Sequence, residues 1–86
     1  MVGKMINTRI INLENYKAFE IDVNGKLAFV VTTNANAYQY YKIENEKYIQ
    51  VGVFHFWEFV ISLTNSEQAY RLINRFYEFI GMAKNA

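Results

Sequence analysis

Residues 37–59 read AYQYYKIENEKYIQVGVFHFWEF, with an aromatic ring at nearly every second position. That spacing matters because successive side chains of a β-strand point to opposite faces, so rings two apart share one. Along 37–44, alternation puts Tyr38, Tyr40 and Lys42 on one side and Ala37, Gln39, Tyr41 and Ile43 on the other. Glu44-Asn45-Glu46 reads as a turn. In the following run Tyr48, Gln50, Phe54 and Phe56 share a side, while Ile49, Val51 and Val53 read as core. The face bearing Tyr38, Tyr40, Lys42, Tyr48 and Phe54 is expected to point away from the helix-covered side.

Working outward, runs of β-branched and aromatic residues alternate with short polar breaks, the pattern of consecutive hairpins. Five strands are expected, at about 5–12, 17–23, 27–33, 37–44 and 47–54. Their breaks are Glu14-Asn15, Asn24-Gly25, Asn34-Ala35-Asn36 and Glu44-Asn45-Glu46. Asn24-Gly25 is the most specific of these, since both residues tolerate φ > 0 and suit a two-residue type I′ turn. With no proline in the chain, every strand can donate fully to a ladder, and an antiparallel meander is the natural result. In the second strand Phe19, Ile21 and Val23 claim the core side and leave Glu20 and Asp22 opposite. The register of the third strand stays open. A two-residue turn puts Ala28 and Val30 in the core, and a longer loop puts Leu27, Phe29 and Val31 there.

Residues 54–63, FHFWEFVISL, fit either period. Aromatic and β-branched enrichment favours a strand, with Gly52 as a bulge or bend before it. As a helix the segment gathers His55, Glu58 and Ser62 into one polar stripe and forms a helical hairpin with the C-terminal segment. That C-terminal segment is clearly helical. Thr64-Asn65-Ser66-Glu67 fits a capping box, and Ala69, Leu72, Ile73, Phe76, Tyr77, Ile80 and Ala83 recur at helical spacing. The helix is expected over about 65–82, with Gly81 near its stop. On a helical wheel the apolar arc runs from Phe79 round to Tyr70, wider than a core-facing stripe needs, which leaves its edges for a partner. Glu67, Arg71, Asn74, Arg75 and Glu78 lie opposite.

These elements amount to one α+β domain, a meander of about five strands packed on a C-terminal helix. At 86 residues the chain supports a single core, and without cysteine neither a disulfide nor a thiolate zinc site can reinforce it. The hydrophobic fraction of 52% and aromatic fraction of 17% suffice for such a core and leave surplus apolar surface for a homodimer. A formal net charge of +1 creates no field favouring nucleic acid or anionic lipid. Lys4, Asn7, Arg9 and Asn12 break the N-terminal apolar run as a signal peptide would not, and no window approaches a membrane span of roughly 18–20 apolar residues. A cytoplasmic location is expected.

One histidine, one aspartate and no glycine-rich phosphate loop give catalysis little to work with, so no catalytic residue, metal or cofactor is expected. His55, Glu58 and Ser62 could imitate a base with helpers only on a helix. Sheet aromatics, however, can stack on unpaired bases, at roughly 1–3 kcal/mol for each ring. The function expected first is therefore single-stranded nucleic-acid binding by a homodimer, through Tyr38, Tyr40, Lys42, Tyr48 and Phe54 with Arg9 and Lys47. Glu20 and Asp22 would repel phosphate. The alternative is a protein-interaction module that inhibits or scaffolds a protein partner.

Residues 61–68, Ile-Ser-Leu-Thr-Asn-Ser-Glu-Gln, coming after a meander and leading into an amphipathic helix, resemble the last strand and helix of the transcriptional coactivator family named positive cofactor four. The resemblance implies a homodimer whose curved sheets grip single-stranded DNA and whose C-terminal helices meet. It spans about a third of the chain. In place of the basic Gly-Lys-rich run such domains carry before the Ile-Ser-Leu strand, this chain has His-Phe-Trp-Glu-Phe-Val.

Overall fold

The computed structural model describes residues 5–34, 37–63 and 66–84. Five strands form where the β-branched and aromatic runs lie: β1 (Ile6–Asn12), β2 (Lys17–Val23), β3 (Lys26–Asn34), β4 (Ala37–Glu44) and β5 (Lys47–Val51). They make one antiparallel sheet in the order β1-β2-β3-β4-β5, a meander. Two helices complete the fold, α1 (Val53–Ser62) and α2 (Ser66–Lys84).

Two tight turns use the left-handed backbone region. Asn24 (φ 56°) and Gly25 (φ 81°) form the expected two-residue turn of a β2–β3 hairpin. Asn24 also ties down β1. Its amide donates to the Met5 carbonyl at 2.7 Å, and its Oδ1 accepts from the Met5 amide at 2.9 Å. The β4–β5 turn places Asn45 (φ 52°) and Glu46 (φ 63°) in the same region, although Glu46 has a Cβ that crowds there.

The register of β3 combines the two sequence alternatives. Val23 faces Lys26 and Asp22 faces Leu27 across the short turn, but Ile21 faces Phe29, so Ala28 is an extra residue in a β-bulge. One inserted residue reverses the facing of everything beyond it. Phe29 and Val31 thus join Phe19 and Ile21 in the core despite the two-residue turn.

That reversal decides β4. Tyr38 lies opposite Thr33 and Tyr40 opposite Val31, so both tyrosines share the face of Val31, on which the helices pack. The expected orientation of β4 is corrected by a half-turn, and its odd-numbered residues face the open side. Residues 54–63 are likewise corrected from strand to helix. Phe56, Val60 and Leu63 are buried at i, i+4 and i+7, a helical spacing that secures one face against the core. Gly52 is the N-cap of α1 rather than a bulge, and Leu63 closes the helix by donating its amide to the Val60 carbonyl at 3.2 Å. β5 consequently stops at Val51.

α2 bears out the amphipathic reading, burying Leu72, Phe76 and Phe79 while Arg71–Glu67 and Arg75–Glu78 ion pairs, at 3.0 and 2.8 Å, decorate its solvent side. It continues through Gly81 to Lys84, so Gly81 is interior and not the stop. The capping box begins at Thr64, which lies outside the described residues. Rings dominate the core. Phe76 lies 4.8 Å from Phe56 and 5.7 Å from Phe19, and Phe29 stacks on Phe59 at 4.9 Å between ring centroids. Each fully buried Phe contributes about 1.5–3 kcal/mol through apolar burial.

Candidate interaction surface

The seven residues expected to meet a nucleic acid do not form one surface. Tyr38 and Tyr40 are half-buried against the core, their rings 6.2 Å from Phe79 and 5.4 Å from Phe56. Lys42 pairs across β5 with Ile49 and so lies on that same helix-side face, reaching Glu44 at 3.7 Å. Lys47 faces Glu44 at the end of β5. Arg9 and Tyr48 lie on the opposite, open face of the sheet, and Phe54 belongs to α1. The bulge at Ala28 turned the even-numbered residues of β4 inward, the β4–β5 register set Tyr48 opposite Ile43 on the other face, and Phe54 left the sheet with α1.

On the open face, Arg9 holds Glu20 by a 3.0 Å ion pair, and Tyr41 stands edge-on to Tyr48 at 6.4 Å. The Tyr41 hydroxyl donates to Gln39 at 2.9 Å. Here the expectation of carboxylates beside the open aromatics holds, because Glu20 lies two residues across the ladder from Tyr41, through Val30.

A larger apolar surface stands on the solvent side of the helices. Phe54, Ile61, Tyr70 and Tyr77 are 80%, 69%, 67% and 59% exposed. At 100° per residue, Phe54, Trp57 and Ile61 fall on one stripe of α1, and Tyr70 and Tyr77 on one stripe of α2. Each stripe touches the buried Phe76. Trp57 stands edge-on to it at 5.8 Å, and Tyr77 lies 6.5 Å from it. The exposed Glu58 borders the α1 stripe, four residues after Phe54 and three before Ile61. Part of this surface was foreseen in the wide apolar arc of α2. The α1 stripe was missed with the helix itself, although Phe54, Trp57 and Ile61 at i, i+3 and i+7 carry its signal.

The helical arrangement that would join His55, Glu58 and Ser62 does form, yet it does not assemble a catalytic relay. His55 Nδ1 lies 3.7 Å from Glu58 Oε1, both exposed, while the Ser62 hydroxyl donates to the Phe59 carbonyl at 2.7 Å. Two helical turns, about 10 Å, separate His55 from Ser62. Among the described residues no group of three His, Cys, Asp or Glu could hold a metal ion, and no helix is long and apolar enough to cross a membrane. No family model, curated protein or solved structure matches the chain.

Proposed function

We propose that the chain is a non-enzymatic, cytoplasmic protein-interaction module that associates through the helix layer, with a second copy of itself as the first occupant. The stripes of exposed Phe54 and Ile61 with half-buried Trp57 between them, and of exposed Tyr70 and Tyr77, carry this reading, because large apolar patches on a folded chain mark association surfaces. Aromatic anchors of this kind dominate binding energies in interfaces. A two-fold contact must be self-complementary, and this patch is mainly apolar, with Glu58 at its border.

Single-stranded nucleic-acid binding is the rival reading, favoured by the Tyr41–Tyr48 pair on the open face and opposed by Glu20 beside it. Sedimentation equilibrium separates the two. Wild-type protein should run at twice the 10.2 kDa chain mass with little dependence on salt, and Phe54→Ser with Ile61→Ser should run as monomer. A monomeric wild type that binds an unstructured oligonucleotide, with affinity falling steeply as salt is added, would transfer the function to the sheet.

A further inference from the structure

Among the described residues β1 is an edge of the sheet, and its outward backbone groups have no strand beside them. It is seven residues long and pairs with β2 without a bulge. It carries Arg9 but no bulge, and α2 packs beside it. Beside it lies a cleft of about 590 Å³, walled by Met5 to Thr8 of the strand side and by Gln68 to Arg75 of α2. At 3.3 Å per strand residue and 1.5 Å per helix residue, both walls are about 10 Å long. Ile6 and Leu72, both packed in the core, give the cleft its apolar floor. Arg71 and Arg75 stand over it. Each spends one nitrogen on an exposed glutamate, Glu67 or Glu78, and a guanidinium has five donors. Exposed pairs of that kind are weak enough to share their arginine with another carboxylate.

We propose that the β1 edge and the Arg71–Arg75 flank form a docking site for an extended acidic segment of a partner protein, which joins the sheet as a sixth strand. This surface is separate from the helix-layer patch. Main-chain bonds to β1 would hold the segment, and side chains at alternate positions would meet the arginines. The spacing fits: Arg71 and Arg75 are about 6 Å apart along the helix, and residues two apart in a strand are about 6.6 Å apart. Charge selects the occupant. The cleft lining holds Arg71 and Arg75 and no carboxylate, so an acidic strand complements it and competes with Glu67 and Glu78 for the guanidinium donors.

The test uses the labelled heptapeptide Thr-Glu-Thr-Glu-Thr-Glu-Thr, its Gln-for-Glu version and a version N-methylated at alternate amides, titrated into the isotope-labelled protein. The Glu peptide should shift the amides of β1 and of the Arg71–Arg75 turn, and the Gln peptide should bind about tenfold more weakly. Arg71→Gln with Arg75→Gln should erase that difference, and N-methylation should abolish binding. Phe54→Ser with Ile61→Ser should bind the peptide as wild type does, so a failed helix-layer reading leaves this one standing. Absence of shifts up to millimolar peptide, shifts centred elsewhere, or equal binding of the Glu and Gln peptides would overturn the proposal. Equal binding of the N-methylated peptide would reduce the site to an anion contact and overturn strand addition.

Discussion

Tyr40 stands between Val31 and Val51 on neighbouring strands, its ring 5.4 Å from that of Phe56. Burial pushes its phenol above the ordinary tyrosine value, and Tyr38 beside it adds to the effect. The protonated form is the one the fold prefers. A group whose folded value is raised contributes stability that is whole below its unfolded value, here about 10, and that is lost as pH rises through the folded value. Urea midpoints should therefore hold steady at neutral pH and fall on the alkaline side of about 10, with a shallower fall in Tyr40→Phe, which keeps the ring and removes the proton. Equal alkaline slopes for the two proteins would mean that this hydroxyl is not sheltered. The facing of this one tyrosine was not legible from alternation, which correctly grouped Tyr38 with Tyr40 but could not say which group faced inward. Ala28 carried the missing information, since a small residue in a strand gives no sign that it will be the extra member of a bulge.

The C-terminal helix and the strands were the most legible elements, the strands because alternation, proline-free runs and the Asn24-Gly25 turn all agree on them. α1 was less so. Its aromatic and β-branched residues favour a strand by propensity, and packing overrode that preference once Phe56, Val60 and Leu63 could enter the core together. The polar stripe of His55, Glu58 and Ser62 was the visible signal of the helix. In α2 the glycine misled about the end, because Gly81 is helical and a Cβ built there meets nothing within 4 Å. Replacing it should help. Gly81→Ala is expected to stabilise the fold by about 0.5–1 kcal/mol, the backbone-entropy cost of glycine inside a helix. A lower urea midpoint for the variant would show that the space beside Gly81 is occupied in solution.

Taken whole, the molecule is a sheet with one face covered by two helices and one face open, and it exposes rings on both outer sides. The expected site divided because its residues belong to three places: the half-buried row of Tyr38, Tyr40 and Lys42, the open face with Arg9 and Tyr48, and the helix layer with Phe54. What the sequence could convey was the surplus of apolar side chains. Where that surplus collects depends on the α1–α2 pairing, which no local pattern states. Trp57, the one tryptophan of the chain, lies on the proposed contact and reports on it directly. Its emission should be recorded over a dilution series from about 100 µM to about 10 nM, which spans contacts of ordinary strength. Two copies joined through the helix layer predict a red shift on dilution, towards the spectrum that Phe54→Ser with Ile61→Ser shows at every concentration. Wild-type and variant spectra that coincide throughout the series would contradict that association.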